Sequence, residues 1–399
     1  MDALMLPLNW QRVRLGDVAE IKRGASPRPI ENPKWFCANS NVGWVRISDI
    51  SKNSRFLYKT AQKLSKKGIE KSRLVKQNSL IMSMCATIGK PIITKIDTCI
   101  HDGFVVFENP KIDLNYLYYF LCYIEKEWLE SGQQGSQVNL NVDLIKNKEV
   151  FYPKDLNEQI AIANILSDVD RYLYSLRALI LKKEGVKKAL SFELLSQRKR
   201  LRGFNQAWQR VRLGDICEFG NGGAYETLIV ENGDFKLISL NSIDIDGNLK
   251  NTMKRVNFYD NSLKQDDIVM VLSDVAHGDF LGLCAVIPSN DYVLNQRMGR
   301  LRKRNDCINI LFLRLYINAN QKYFKMQGQG SSQLNLSKKA IEDFEIPLPS
   351  LNEQIAIANI LSDLDHEIAS LKNKKRQFEN IKKALNHDLM SAKIRVLKK

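Results

Sequence analysis

Two long stretches of the chain place apolar residues three and four positions apart. The first holds Leu166, Val169, Leu173, Leu176 and Ile180, and the second holds Leu361, Leu364, Ile368 and Leu371. This spacing puts one apolar stripe along one face of a helix. The pattern predicts helices over residues 157–196 and 352–393. At about 1.5 Å per residue, each helix would be about 60 Å long.

Both predicted helices open with the same thirteen residues. The sequence LNEQIAIANILSD occupies residues 156–168 and again residues 351–363, 195 positions later. A second repeated segment, WQRVRLGD, occupies residues 10–17 and 208–215, 198 positions apart. A repeat of this length indicates a duplicated domain pair rather than the short units of a solenoid.

Between the repeated segments, short apolar runs are broken by Gly, Pro and Asn, which is typical of strands and turns. In the first half the runs predict strands over residues 44–50, 79–83, 92–94 and 104–107 and a helix over 114–129. In the second half they predict strands over 235–240 and 267–272 and a helix over 310–324. The halves agree at their edges and differ in their middles, which suggests one scaffold presenting two different surfaces.

These elements predict an α+β fold with two similar β-rich globular domains. Two long antiparallel helices, forming a coiled coil, would join the domains with pseudo-two-fold symmetry. Antiparallel packing follows because the ends of a domain usually lie close together, so the second domain returns the chain near the point where the first helix delivered it. The predicted boundaries are 1–153 and 203–349 for the domains, and 154–202 and 350–399 for the helices.

Three residues interrupt the apolar stripes of these helices. Lys183 and Lys375 stand where a heptad favours an apolar residue, and Gly185 lies inside the first helix. Glycine destabilises a helix by about 1 kcal/mol relative to alanine. A lysine at a seam can extend its charge to solvent, and a polar seam residue can also fix helix register. The sequence leaves both interpretations open, and with them the straightness of the helix pair.

The charge balance indicates a polyanionic partner. The chain has 60 Lys and Arg against 44 Asp and Glu, a net charge of +16, and a pI near 9.4. Nucleic acid is the first candidate for such a partner. A membrane-spanning helix is not expected, because such a helix needs an apolar run of about 18 residues and no run in the sequence approaches this length. The first residues do not resemble a secretion signal.

The cysteines and histidines predict neither disulfides nor a metal site. Seven cysteines occur without a CxxC pair, which is typical of free thiols in a cytoplasmic protein. The four histidines show no zinc-ligand spacing with them. Catalytic motifs are also missing: the ENPKW segment at 31–35 lacks the second proline of an amino-methyltransferase motif, and IGKP at 88–91 does not complete a phosphate-binding loop.

Binding is therefore the predicted activity, and loop residues supply the candidates. Arginine recognises guanine, and asparagine or glutamine recognises adenine, through paired hydrogen bonds in the major groove. The candidate DNA-binding residues are Arg23, Arg28, Lys34, Gln133, Gln137, Asn139, Asn141, Gln329, Gln333 and Asn335. The same residue types also simply form turns.

The arrangement of these segments resembles the specificity subunit of type I restriction-modification systems. Each half opens with WQRVRLGD and closes through GQQGSQVNL or GQGSSQLNL into LNEQIAIANIL and a long helix, and LLSQRKRLRGF joins the halves. The resemblance implies that residues 10–153 and 208–349 are target recognition domains, each reading one half of a split DNA site. It also implies two modification subunits that use S-adenosylmethionine to methylate adenine, and restriction subunits that use ATP and Mg²⁺. The chain itself would bind no cofactor and catalyse nothing.

The expected target is two different short tracts separated by an unspecified gap of fixed length, with half-sites about one helical turn of about 34 to 36 Å apart or slightly more. A non-specific, two-headed DNA-bridging scaffold is the alternative. It predicts binding that ignores sequence and has a steep salt dependence. A stand-alone methyltransferase or nuclease would instead show turnover by the purified chain.

Overall fold

The computed structural model describes residues 7–131, 140–275 and 278–396. The chain divides into two compact units. Unit 1 consists of Met1–Arg177 and Asn373–Lys399, and unit 2 consists of Ala178–Lys372. Among the helices in the described ranges, none has the length and apolar character that crossing a membrane requires.

The globular part of unit 1 combines short strands with short helices and leads into one long helix. Its strands are β1 (Trp10–Arg14), β2 (Glu20–Arg23), β3 (Gly43–Val45), β4 (Phe56–Leu57), β5 (Gln62–Lys63), β6 (Arg73–Val75), β7 (Leu80–Ser83), β8 (Pro91–Thr94), β9 (Thr98–Ile100), β10 (Phe104–Glu108) and β11 (Glu149–Pro153). Its helices are α1 (Leu15–Val18), α2 (Ile47–Lys52), α3 (Lys66–Glu70), α4 (Leu114–Tyr123), α5 (Glu125–Ser131), α6 (Val142–Asn147) and the long α7 (Leu156–Leu195), with a 3₁₀ turn at Pro33–Trp35.

Three sheets form the framework of unit 1. Their strand orders are β2-β10-β7-β8-β4, β5-β3-β9-β6 and β1-β11. Strands β7, β8 and the first four residues of β10 are buried along their whole length. Burial on both faces explains why these strands read as continuous apolar runs rather than as alternating patterns. Aromatic side chains such as Trp44, Phe104 and Trp128 are among the largest fully buried groups.

Unit 2 contains a second set of the same kinds of elements. Its strands are β12 (Gln209–Arg212), β13 (Cys217–Asn221), β14 (Phe235–Ile238), β15 (Lys254–Val256), β16 (Ile268–Val271), β17 (Ser273–Val275), β18 (Cys284–Val286), β19 (Tyr292–Leu294), β20 (Met298–Lys303), β21 (Gln333–Asn335) and β22 (Glu345–Leu348). Its helices are α8 (Leu213–Ile216), α9 (Ile310–Ala319), α10 (Gln321–Gln327), α11 (Lys338–Glu342) and the long α12 (Leu351–Met390), with 3₁₀ turns at Glu226–Leu228 and Leu240–Ser242.

The sheet topology of unit 2 repeats that of unit 1. The orders β13-β20-β16-β18, β15-β14-β19 and β12-β22 match β2-β10-β7-β8, β5-β3-β9 and β1-β11. The central parallel pair β3–β9 recurs as β14–β19. The strand register also agrees. Arg23, the last residue of β2, lies opposite Val105, the second residue of β10. Asn221, the last residue of β13, lies opposite Gly299, the second residue of β20. The duplication therefore extends through the middles, where the sequences differ.

The predicted long helices are confirmed as α7 and α12, with ends within three residues of those expected. In each unit one half of α7 pairs antiparallel with one half of α12. Ion pairs mark this contact: Arg177–Glu379 and Lys382–Asp170 in unit 1, and Lys372–Glu184 and Lys187–Asp365 in unit 2. The two sets are the same contacts with α7 and α12 exchanged. The α+β class, the duplicated globular parts and the antiparallel helix pairing predicted from the sequence are therefore confirmed.

The residues that interrupt the apolar stripe are accommodated without a break in either helix. The Nζ of Lys183 lies 2.8 Å from Glu367 Oε2, and the Nζ of Lys375 lies 3.1 Å from Glu379 Oε1. Both lysine side chains remain 30% exposed, as expected for charges that extend from a seam to solvent. Helix α7 continues through Gly185, where an added Cβ would meet nothing within 4 Å.

One residue of the repeated LNEQ segment fastens each globular part to its long helix. Gln159 is 3% exposed. Its Oε1 accepts a hydrogen bond from the Asp113 N–H, and its Nε2 donates to the Pro153 carbonyl, both at 2.8 Å. Gln354 makes the equivalent contacts to the N-cap residue of α9 and the proline after β22. A buried amide needs such partners, so this glutamine serves the scaffold in both units.

Several predicted elements were wrong in their extent. The strand expected over 44–50 ends at Val45, because Asp49 accepts the Arg46 N–H at 2.9 Å and starts helix α2. The strand expected from Phe235 likewise ends at Ile238, where Ser242 begins a turn by accepting the Ser239 N–H. The helices expected over 114–129 and 310–324 are each two shorter helices.

Candidate nucleic-acid interface

Two of the arginines predicted from the sequence converge on one turn of unit 1. This turn, residues 101–103, joins β9 to β10. The Nε of Arg23 donates to the Asp102 carbonyl, and the Nη2 of Arg28 lies 2.7 Å from Asp102 Oδ2. Ser26 Oγ donates to the other carboxylate oxygen at 2.6 Å. The turn therefore organises the loop that follows β2.

The charges in this cluster are only partly compensated. The hydrogen bond from Ser26 and the charge of Arg28 hold the pKa of the Asp102 carboxyl below its ordinary value, so the carboxylate is ionised at neutral pH. Arg28 pairs with that charge. Arg23 binds a neutral carbonyl and is exposed, so its positive charge remains at the surface.

The histidine in the same turn has a structural role. His101 packs edge-on against Phe104, with ring centroids 4.6 Å apart. Its Nδ1 accepts the Gly103 N–H at 2.9 Å. Burial lowers the pKa of His101 to about 4, against the opposing effect of Asp102. The imidazole is therefore neutral at physiological pH and supports the turn.

Other candidates of unit 1 lie outside this cluster. Lys34 lies on the 3₁₀ turn, with its Nζ 4.3 Å from the Trp35 ring centroid. Asn141 is the N-cap of α6, where its Oδ1 accepts the Leu144 N–H at 2.8 Å. A cap of this kind stabilises a helix by about 1 kcal/mol. Its oxygen is therefore committed to the fold. The candidates Gln133, Gln137 and Asn139 lie outside the described residues.

The candidates of unit 2 lie on or beside a two-stranded antiparallel ribbon, β17 with β21. Gln333 Nε2 donates to Ser273 Oγ at 2.7 Å, and Ser273 Oγ donates to Asn335 Oδ1. The backbone of Gln329 exchanges two hydrogen bonds with that of Asn335. The structure thus brings Gln329, Gln333 and Asn335 together, and the Gln333 Oε1 has no hydrogen bond to any residue that the structure describes.

A cavity of about 330 Å³ adjoins this ribbon. It is lined by Leu240, Asn241, Ile243, Lys250, Val271, Ser273, Asp274, Val275, Phe280, Arg297 and Gln333. Sequence reasoning missed Arg297 and Lys250. Arg297 lies in the turn between β19 and β20, and the backbone shows that this is the same turn as in unit 1. The Met84 N–H binds the Gly103 carbonyl, and the Leu272 N–H binds the Arg297 carbonyl in the equivalent contact.

A glycine at the end of a strand holds the neighbouring loop against this turn in both units. A Cβ on Gly24 would lie 2.0 Å from the His101 carbonyl oxygen, and one on Gly222 would lie 2.1 Å from that of Asn295. No side chain fits at either distance, so glycine is required at both positions. The scaffold around the turn is shared, while the side chains that it presents differ.

The described residues contain no group of three or more His, Cys, Asp or Glu that could hold a metal ion. All seven cysteines are free thiols. The arrangement offers exposed guanidinium groups and side-chain amides on rigid turns and strands. These are groups that hydrogen-bond to phosphates and to base edges.

The sequence is similar to known proteins along nearly its whole length. A family model for the type I restriction modification DNA specificity domain matches it twice, at residues 7–183 and 205–380. The specificity subunit of the type I restriction enzyme MjaVIII from Methanocaldococcus jannaschii is 26% identical over 426 residues, covering 99% of this chain and 95% of the relative. The EcoprrI specificity subunit from Escherichia coli is 25% identical over 185 residues, covering 45% of each chain.

Solved structures share the fold. The S subunit of a type I restriction-modification system from M. genitalium has a TM-score of 0.64 and 18% identity, covering 96% of this chain and 98% of that one. A chain from a study of assembly and conformational transition of the type I system has a TM-score of 0.59 and 16% identity, with the same coverage. Because the family model matches both halves of the sequence, the chain belongs to the family of type I restriction-modification DNA specificity subunits.

Proposed function

We propose that the chain is the DNA-recognition subunit of a type I restriction-modification complex and binds a bipartite, asymmetric site. One observation carries this proposal. The two units share a fold and a register, yet the equivalent turn holds Asp102 with Arg28 and Arg23 in one unit and Arg297 in the other. Two similar frameworks with different hydrogen-bonding groups suit two different DNA tracts.

In this proposal the positive charge of the chain provides affinity for DNA, and the side chains on the turns select the DNA sequence. A net charge of +16 favours contacts with phosphates, which position a protein on DNA without reading its sequence. Arginine and amide side chains on base edges then discriminate between sequences. This division of labour requires no chemistry from the chain itself. It acts as a non-catalytic subunit.

The two long helices support a gap of fixed length between the tracts. Each helix runs for 40 residues without a break, and each contributes one part to unit 1 and one part to unit 2. A continuous helix is a stiff spacer, unlike a flexible linker. The proposed target therefore has two specified tracts separated by a constant number of unspecified base pairs.

Duplicated apolar residues on the helices support binding of two copies of one partner. Leu156 and Ile160 are 53% and 38% exposed, and their repeats Leu351 and Ile355 are 39% and 37% exposed. Exposed apolar groups at matched positions in identical sequences suit identical partners. We propose modification subunits, which bring S-adenosylmethionine and methylate adenine N6, as these partners. Restriction subunits would bring ATP and Mg²⁺.

Methylation of a random-sequence DNA library tests this function. The chain is mixed with its modification subunit, and N6-methyladenine is mapped in single-molecule reads. The expected result is one split motif with two different tracts and a constant gap. Methylation without a motif, together with binding that falls equally with salt on every DNA, would favour the DNA-bridging scaffold. Methylation by the chain alone would show that it is an enzyme.

A further inference from the structure

Arg297 differs from the other arginines in the globular part of unit 2. Each of the other seven binds a carboxylate or a backbone carbonyl: Arg210, Arg212, Arg255, Arg300, Arg302, Arg304 and Arg314. The guanidinium of Arg297 is exposed and has no hydrogen bond or ion pair with any residue that the structure describes. Its donors are therefore free for a ligand.

The backbone that carries Arg297 is held on both sides. The Arg297 carbonyl accepts the Leu272 N–H at 3.0 Å, and the preceding Gln296 N–H donates to the Gly223 carbonyl at 2.6 Å. The Gln296 side chain donates to Glu226 Oε2 at 2.8 Å. Arg297 itself has a φ of +67°, in the left-handed region that L-residues rarely adopt. The turn thus fixes the backbone from which the Arg297 side chain projects, at some cost in stability.

The cavity beside Arg297 suits a base edge better than a phosphate. Its lining includes the apolar side chains Leu240, Ile243, Val271 and Phe280, which would strip water from a phosphate without replacing its hydrogen bonds. The one carboxylate in the lining, Asp274, accepts the Val275 and Phe280 N–H groups at 2.8 and 2.7 Å. That carboxylate is occupied by the turn it stabilises.

The neighbouring ribbon is a kind of element that fits into the major groove of DNA. The major groove admits a two-stranded β-ribbon, and β17 with β21 is such a ribbon. Val275, at the end of β17, is 70% exposed. An exposed apolar side chain at this place can contact the methyl group of a thymine. Lys250 lines the cavity and is exposed, so its long side chain can reach a phosphate that lies outside the apolar part of the lining.

We propose that Arg297 is a specificity-determining residue that reads a guanine, through its N7 and O6, in the tract recognised by unit 2. This assignment rests on the proposed function and adds to it the identity of one base and of the side chain that reads it. Lys250, in the same cavity, contributes charge without base choice.

Two variants that each remove one positive charge from the cavity separate these roles. Arg297→Gln and Lys250→Gln are each tested in the complete complex by mapping N6-methyladenine in a random-sequence library and measuring salt dependence of binding. Arg297→Gln should relax one G·C position of one tract by about 10- to 100-fold and leave the other tract unchanged. Lys250→Gln should weaken all sites equally and reduce the salt slope by about 1. Arg297→Lys keeps the charge but not the paired donors, and should also relax that position.

The outcomes distinguish this assignment from the function on which it rests. A split wild-type motif that Arg297→Gln leaves intact, or weakens uniformly, would overturn the assignment alone. A relaxed position that is not G·C would do the same. A wild-type library without a motif would overturn the proposed function and the assignment with it. Replacing the guanine by 7-deazaguanine should reduce methylation by the wild-type complex but not by the Arg297→Gln complex.

Discussion

Asp102 and Arg297 occupy equivalent turns but give them opposite charge. In unit 1, Asp102 pairs with the exposed Arg28, and the exposed Arg23 binds the Asp102 carbonyl rather than a carboxylate. In unit 2, Arg297 lines a cavity together with apolar side chains such as Val271 and Phe280. A globular part that carries different side chains on this turn while keeping its scaffold can recognise a different base without refolding. We propose this difference as the residue-level basis for recognising two different tracts.

The largely buried imidazole of His101 makes unit 1 sensitive to acid. Its pKa in the folded chain is about 4, below the ordinary value of 6.5. The unfolded state therefore binds more protons between those values, so the free energy of unfolding falls as pH drops from 6.5 toward 4. Unit 2 has the buried Asn295 at the equivalent position. We expect His101→Asn to reduce this slope, measured by urea unfolding across the window.

An exposed histidine supplies the control for this prediction. His366 on α12 is exposed, and His366→Asn is the matched substitution outside the turn. Equal slopes for His101→Asn and wild type would show that the turn does not depend on a neutral imidazole.

Sequence reasoning found part of the candidate site because loops rich in Arg, Gln and Asn can be recognised without the fold. It identified Arg23 and Arg28, and Gln333 on the ribbon. Arg297 was missed, because the match between residues 101–103 and 295–297 appears only through strand register, and the two sequences share no residue there. Asn141 was chosen by residue type, whereas its position immediately before α6 gives its oxygen a capping contact.

At the scale of elements, the long helices were the most predictable part of the fold. Their period is local, and the apolar positions lie within a few turns of one another. Strand ends were less predictable, since they depend on side-chain caps such as Asp49 and Ser242. The order β2-β10-β7-β8 joins residues far apart in sequence, so no local pattern encodes it.

Helix α7 carries a glycine that its packing does not require. An added Cβ at Gly185 would meet nothing within 4 Å, so Gly185→Ala should raise the free energy of unfolding by about 0.5 to 1 kcal/mol. Urea unfolding followed by circular dichroism measures the change. Gly89→Ala should instead lower the free energy of unfolding, because the φ of Gly89 is +74° and an added Cβ would lie 2.2 Å from Trp128 Cδ1. Destabilisation by Gly185→Ala would show that α7 needs a flexible point.

The repeated helix openings should each dock one partner. Leu156→Glu with Ile160→Glu places charge on one exposed apolar patch, and Leu351→Glu with Ile355→Glu does so on the other. Each pair should reduce the number of bound modification subunits from two to one, and the four changes together should abolish binding. Native mass spectrometry counts the subunits. Tyr58→Glu, at a 65% exposed residue of the globular part of unit 1, is the control, and loss of both subunits from one patch variant would contradict independent docking.

At the scale of the whole molecule, the duplication predicts that one globular part can replace the other. Residues 10–153 and 208–349 open with the same eight residues. Both segments end at the proline whose carbonyl binds the buried glutamine of the long helix, Gln159 or Gln354. A second copy of residues 10–153 can therefore replace residues 208–349 with both junctions preserved. The helices, and so the proposed gap, remain unchanged.

The most direct test of the proposed function is the methylation motif of this chimera with its modification subunits, mapped on a random-sequence library beside the wild type. We predict that the first tract and the gap persist, and that the second tract becomes an inverted copy of the first. A chimera that kept the wild-type second tract, or that changed the first tract or the gap, would contradict the claim that each unit reads one tract and the helices set their separation.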